Sequence, residues 1–267
     1  MKHKTSVFAL GAAIALAGAL PAFAADAQME IKTAEAGVIC PTASEEARQS
    51  YNDGYALQNI ERLAEAEKAY QKAVELDPAY CDAMDNLGRL LRGRGDAAGA
   101  VVWYKRSLSV KPDNPVAHQN LAAAYLYQGD SAGAEKEYQW LIRSDPKNPE
   151  GFYGLGNLYI QMEKPAAAIK PLKRAEELYI AASSPFLADV RYALGSAFFQ
   201  QSEYMKAKDY LLLAYPEMSN HPGINYILGL CYLDPSIGDK ARAKRYILKA
   251  REAGVKIPVK VLQMIGE

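Results

Sequence analysis

Small and apolar residues return along most of this chain at intervals of 34. Units are counted from Ala47, Cys81, Pro115 and Pro149, then from Ala188 after a five-residue insertion, and from Pro222. In this frame the eighth position reads Gly54, Gly88, Ala122, Gly156, Gly195 and Gly229. The twentieth reads Ala66, Ala100, Ala134, Ala168, Ala207 and, with two extra residues in the 234–240 loop, Ala243. Larger apolar residues keep to other columns. Position 7 is Asp53, Leu87, Leu121, Leu155, Leu194 and Leu228, and position 24 is Tyr70, Tyr104, Tyr138, Leu172, Leu211 and Ile247.

These columns predict two antiparallel helices per unit. Small residues at positions 8 and 20 let the helices approach closely, and the larger columns fill the space between them and the next unit. Gly95-Asp96 and Gly129-Asp130 read as a C-cap glycine followed by an N-cap aspartate. Pro78, Pro112 and Pro146 end the second helices. The fourth unit runs through Ile180 without its proline, which predicts a longer second helix there. Beyond the sixth unit, Ile257, Val261, Leu262 and Ile265 have helical spacing after Pro258. This last helix is read as a cap over the final apolar face, the alternative being a partner-binding helix.

The 34-residue column pattern resembles the tetratricopeptide repeat and spans about four fifths of the chain. The resemblance implies an all-α, right-handed superhelical solenoid of about six helix-turn-helix repeats. They occupy 47–80, 81–114, 115–148, 149–187, 188–221 and 222–257, with a capping helix over 258–267. Two departures stand out. Position 4, often Trp in the family, holds Ser50, Met84, His118, Phe152, Arg191 and Asn225. Asp53 takes the place of a leucine in the first repeat, which suits a terminal unit.

The N-terminus carries a different signal. Lys2, His3 and Lys4 precede an uncharged run from Thr5 to Ala25 with an apolar core between Val7 and Leu20, then Pro21 and Ala22-Phe23-Ala24. This is the pattern of a secretory signal peptide over 1–24, cleaved after Ala24, with 25–46 as an N-terminal arm. The apolar core is about 14 residues, short of the roughly 20 a membrane span needs. An exported, periplasmic chain is expected. Lys+Arg and Asp+Glu are both 31, and removing Lys2 and Lys4 leaves 29 bases against 31 acids. That balance lacks the basic excess of a nucleic-acid binder.

Enzymatic signatures are missing from the sequence. It holds no G-x-S-x-G, H-E-x-x-H, G-x-x-x-x-G-K or G-x-G-x-x-G, and His118 and His221 lie about three repeats apart. A non-catalytic chain without cofactor or metal is expected. The three cysteines show no C-x-x-C spacing. Cys40 precedes the first helix and Cys81 opens the first helix of repeat two. Neighbouring helices start about 10 Å apart, a gap that four or five extended residues bridge. A Cys40–Cys81 disulfide is therefore geometrically accessible, the alternative being two separate thiols. Cys231 reads as a small core residue.

The family resemblance also points to a binding surface. It implies a concave groove made by the first helix of each repeat, taking a protein or an extended peptide. Its columns supply Tyr51, Tyr153, Tyr192 and Tyr226 at position 5 and Asn52, Asn86 and Asn120 at position 6. Tyr55, Arg89 and Asn157 follow at position 9, with Arg92 near position 12. An asparagine ladder can pair with a peptide backbone, or it can bond neighbouring helices; tyrosines suit either hot spots or packing. Carboxylate-clamp members of the family would use Asn52, Asn86, Arg89, Asn120 and Arg92, but Asp85 is out of place in such a clamp. An extended internal peptide is the expected ligand. The resulting expectation is a scaffold or adaptor of the bacterial cell envelope.

Charge offers a second expectation. Residues 26–77 carry net −6, whereas 240–260 carry eight bases and one acid, net +7. The basic end, Lys240 to Lys260, could meet a membrane surface or drive self-assembly.

Overall fold

The computed structural model describes residues 39–40 and 42–267; the expected signal peptide and most of the arm lie outside the described residues. Thirteen α-helices and no strand are found among the described residues. They are α1 (Glu45–Asn59), α2 (Leu63–Leu76), α3 (Cys81–Gly93), α4 (Ala97–Val110), α5 (Pro115–Tyr127) and α6 (Ser131–Ser144) in a first unit that ends at Pro146. A second unit from Lys147 holds α7 (Pro149–Gln161), α8 (Pro165–Ala181), α9 (Leu187–Gln200), α10 (Tyr204–Met218), α11 (Pro222–Leu233), α12 (Lys240–Glu252) and α13 (Val259–Ile265). Successive helices pair into hairpins, α1 with α2, α3 with α4, and so on to α11 with α12. The structure is an all-α stack of repeats within each unit.

Helix starts follow capping chemistry. The Ser44 hydroxyl accepts from the Ala47 N–H, Asp96 from Gly99, Asp130 from Gly133, and Asp239 from Arg242, at 2.8 to 3.1 Å. Asn114 and Asn148 cap α5 and α7, each followed by a proline at the first helical position, where no N–H is needed. Helix α8 has 17 residues against 14 in α2, α4 and α6, as the missing proline predicts.

One turn joins the helices in all five of the first repeats. Residue 15 of the repeat sits in the left-handed region: Glu61, Gly95, Gly129, Glu163 and Ser202, with φ between +56° and +86°. The next N–H returns to the carbonyl five residues back, on Leu57, Leu91, Tyr125, Tyr159 and Phe198. This double-bonded C-cap closes the first helix and aims the second antiparallel to it. Two glycines adopt the conformation without strain; two glutamates and a serine adopt it against the crowding of their own Cβ.

Packing inside five of the six hairpins turns on the position 8 glycine. A Cβ on Gly88 would lie 2.7 Å from the Tyr104 ring, and one on Gly54 would lie 2.8 Å from Tyr70. Leu172, Leu211 and Ile247 press in the same way on Gly156, Gly195 and Gly229. Repeat three carries Ala122 instead. Its partner Tyr138 is 8% exposed, where Tyr70 and Tyr104 are 0% exposed. Position 7 completes the layer with buried leucines, except at Asp53, which faces solvent and accepts from Gln49. At the chain's other end, Val261 and Ile265 of α13 join the core of the second unit, so the final helix is a cap.

Polar contacts also link neighbouring repeats. Asp85, on α3, accepts from Asn114 Nδ2 at 2.8 Å, while Asn114 Oδ1 caps α5. Asp85 Oδ1 and the Ser107 hydroxyl are both buried without a completed hydrogen bond. Burial pushes the Asp85 carboxyl up to about 6, with the Asp82 charge adding to the shift and the Ser107 and Asn114 dipoles opposing it. His118, on α5, stacks on Trp140 at 3.5 Å between centroids, and its ring nitrogens meet Glu137 at 2.6 Å and the Pro112 carbonyl at 3.0 Å. The position that is often Trp in this repeat is here a histidine lying on a tryptophan.

Three expectations can be measured by urea unfolding. Gly88→Ala should cost about 1–3 kcal/mol because the Tyr104 ring must move, whereas Gly93→Ala on the same helix, where an added Cβ meets nothing within 4 Å, should not destabilise. Gly129→Ala should cost about 1 kcal/mol purely through backbone strain, since its Cβ also meets open space; Glu163→Gly should gain up to about 1 kcal/mol at the equivalent turn. Asp85→Asn should be pH-dependent. A carboxyl with its folded pKa raised holds its proton longer than in the unfolded chain, so its ionisation lowers stability as pH rises from about 4 to about 6. The substitution should therefore stabilise by up to about 2–3 kcal/mol at pH 7.5 and by little at pH 4; equal effects at both pH values would contradict the assignment.

Candidate peptide-binding face

In the first unit, the first helices α1, α3 and α5 present the columns expected to bind. The tyrosine at position 5 sits at the back of this face. Tyr51 is half-buried, with its ring 5.7 Å from Tyr70 and 5.2 Å from Tyr80. Its hydroxyl accepts from Asn86 Nδ2 at 2.8 Å, and burial raises its pKa. Asn86 Oδ1 in turn accepts from Arg89 Nη2 at 2.9 Å. Gln58 Oε1 accepts from Tyr70 OH at 3.2 Å and from Arg89 Nη2 at 3.4 Å. A chain of hydrogen bonds thus ties α1 to α3 through side chains of the face itself.

The three position 6 asparagines are not equivalent. Asn52 is exposed, Asn86 is engaged by Tyr51 and Arg89, and Asn120 is half-buried. Tyr55 and Tyr127 are 52% and 51% exposed, which is high for rings of that size. The Arg92 guanidinium lies 5.8 Å from the Tyr127 centroid, and its Nε is buried without a hydrogen bond. The outer edge of the face is therefore Asn52, Tyr55, Arg89, Arg92 and Tyr127.

In the second unit the position 5 tyrosines are half-buried on α7, α9 and α11. Tyr153 lies 6.2 Å from Tyr179 and pairs with Asn157 one turn on; burial raises its pKa. Tyr192 lies 4.7 Å from His221 and bonds Ser196, with its pKa pushed up to about 12 by burial. Tyr226 is also shifted up by burial. A tyrosine at position 5 with a polar partner at position 9 recurs within this unit. These rings pack between helices and show only an edge.

Several features lay outside the sequence reading. Tyr179 OH donates to Glu150 Oε1 at 2.9 Å, and burial raises the Glu150 pKa. On the second-helix side of the first unit, Gln71, Val74, Glu75, Pro78, Trp103 and Arg106 line a shallow cleft of about 320 Å³. Neither follows from the columns, since each depends on how residues from different helices meet.

The two cysteines expected to meet do so. Cys40 and Cys81 form a disulfide with Cα atoms 5.5 Å apart, and the Cys40 N–H donates to Asp82. A closed loop of this length adds about 4 kcal/mol in the chain-entropy picture. The Cys81 sulfur is thereby committed, and its cluster with Asp82 and Asp85 is a structural one. Cys231 is a free, buried thiol pushed up to about 12 by burial. At the basic end, Lys244 and Arg251 both pair with Glu267, Arg242 pairs with Asp239, and Lys249 bonds Tyr215 OH.

The wider likenesses agree with this geometry. Family models described as "Tetratricopeptide repeat" match residues 45–80, 120–185 and 153–222, and one described as "TPR repeat" matches 88–129. They describe interaction repeats and no enzyme family. No curated protein matches the sequence. Among solved structures, a chain of the APC/C hetero-tetramer Cut9–Hcn1 is similar with TM-score 0.69 at 17% identity, over 83% of this chain and 43% of that one. This chain thus spans less than half the length of that relative. YrrB, described as having an unusual peptide-binding site, is similar with TM-score 0.53 at 20% identity, over 70% and 93% of the two chains. PilW, described as a widely conserved type IV pilus biogenesis factor, is similar with TM-score 0.60 at 16% identity, over 69% and 82%. At these identities the likeness is one of fold. With the family models spread over most of its repeats and the same hairpin built at each, the chain belongs to the tetratricopeptide repeat family.

Proposed function

We propose that this chain is a non-catalytic scaffold of the bacterial cell envelope that holds an extended peptide or protein segment on its first-helix face. The observation that carries this reading is the outer edge of that face. Asn52, Tyr55, Arg89 and Tyr127 stay exposed while the columns behind them close the core. Exposed tyrosine and arginine are the residue types that dominate binding energy at protein interfaces. The signal-peptide pattern over 1–24 supports export. A Cys40–Cys81 disulfide suits an oxidising compartment such as the periplasm. The pairing of Lys244 and Arg251 with Glu267 leaves less charge for an anionic membrane, so the basic end lends the alternative no added support.

The test is crosslinking in cells followed by pull-down and mass spectrometry, wild type against Asn52→Ala/Tyr55→Ala. Both side chains are exposed, so circular dichroism should show an unchanged helix content. A partner recovered by wild type should fall about tenfold or more in the variant. Equal recovery would remove this face as the binding site. The same preparation, recovered from the periplasmic fraction, should begin at Ala25; a cytoplasmic chain beginning at Met1 would overturn the envelope assignment.

A further inference from the structure

The described part of the first unit holds seven arginines, of which Arg106 and Arg143 stand on second helices, away from the first-helix face. Arg48, Arg62 and Arg94 each pair with a glutamate, Glu45, Glu65 and Glu67 respectively. Arg89 and Arg92, on the first-helix face, make no ion pair among the described residues, although the adjoining stretch 26–77 carries net −6. Asp85, one turn before Arg89, is drawn inward to Asn114 instead. Arg89 is held by two neutral amides, Asn86 at 2.9 Å and Gln58 at 3.4 Å. These bonds fix the guanidinium without cancelling its charge. Arg92 is half-buried beside the buried Tyr104 phenol, with the Tyr127 ring at 5.8 Å, and its Nε completes no hydrogen bond. Two oriented forks with uncancelled charge suit carboxylate recognition.

Their spacing narrows the ligand. Residues three apart on a helix share a face, with about 5–6 Å between Cβ atoms. Alternate residues of an extended chain also share a face, about 7 Å apart. Long guanidinium side chains span that small difference. The exposed ring of Tyr127 on α5 lies by Arg92, and the exposed Tyr55 holds on α1 the repeat position that Arg89 holds on α3, so both rings offer apolar contact on this face. Resting on the peptide-binding reading above, we propose that this face selects an extended peptide with acidic side chains at alternate positions, acid-x-acid, one on Arg89 and one on Arg92.

Panning a phage-displayed dodecapeptide library on the full chain tests this, followed by fluorescence anisotropy with N-acetylated, C-amidated versions of the selected peptides. Wild type should enrich Asp or Glu at i and i+2. Replacing both acids by their amides, or using Arg89→Ala/Arg92→Ala, should weaken binding at least tenfold. Arg89→Lys/Arg92→Lys should bind between the two, because charge remains while the fork is lost. Arg89→Glu/Arg92→Glu should enrich Lys or Arg at the same spacing. Circular dichroism checks each fold, and the lysine pair decides the matter if the alanine pair is unstable. Selected peptides without acidic residues, held equally by the variants, would overturn this inference and leave groove binding standing. So would peptides that bind only through a free C-terminal carboxylate and are lost on amidation. No enrichment over an unrelated immobilised protein would overturn both readings.

Discussion

The absence of one side chain sets the geometry of five of the six hairpins. At position 8 the helix backbone is bare, and the residue at position 24 lies against it within van der Waals contact. With the two helices this close, the turn between them has little freedom. The same C-cap bonds recur in five repeats even where glutamate or serine must occupy the left-handed conformation. The packing thus outweighs a backbone cost of about 1–2 kcal/mol at each of those turns. Repeat three shows the tolerance of the arrangement: one methyl at Ala122 goes with a Tyr138 that is not fully covered.

Hairpins alone do not set the register between repeats. In the first unit that falls to contacts between successive first helices, where Asn86 meets Tyr51 and Asp85 meets Asn114. Burying a carboxylate is unfavourable unless it is paired, and Asp85 is only half satisfied. Its retention there is understandable because Asn114 does two things at once. Its amide nitrogen holds Asp85 while its oxygen caps α5, so the start of one helix is tied to the middle of the preceding first helix.

The fold was legible because its determinants are columns. Small residues at 8 and 20, leucines at 7 and prolines at the ends each have one structural consequence, and it repeats. Even the longer α8 and the capping α13 followed from a missing proline and a short apolar spacing. The face was less legible because column membership does not say which way a polar group is spent. Asn52, Asn86 and Asn120 look identical in sequence, yet Asn86 is engaged by Tyr51 and Arg89, while Asn52 is exposed. The tyrosines divide likewise. Tyr51, Tyr153 and Tyr192 read as contact residues but are half-buried packing, whereas Tyr55 and Tyr127 are more than half exposed. The Arg92–Tyr127 and Gln58–Arg89 contacts join residues 35 and 31 apart, distances no local pattern encodes.

This division of labour has a physical logic. Tyr51 at position 5 and Asn86 at position 6 point toward each other across neighbouring repeats, where a rigid ring and a bifunctional amide hold two helices in register. Positions 9, 12 and 13 lie further round the same helix and carry that duty only in part: Gln58 bonds Tyr70 and Arg89, while Tyr55 and Tyr127 are exposed. Recognition can vary there without disturbing the stack, provided the inner positions keep the helices in place. In this chain the outer positions of repeat two are arginines, while Asn86 and Gln58 reach out to orient Arg89. These contacts between repeats therefore support binding as well as folding. A guanidinium already held by neutral amides loses less side-chain freedom when a ligand arrives than one that is free in solvent. Neutral amides also leave its charge available, which a glutamate partner such as those of Arg48, Arg62 and Arg94 would not.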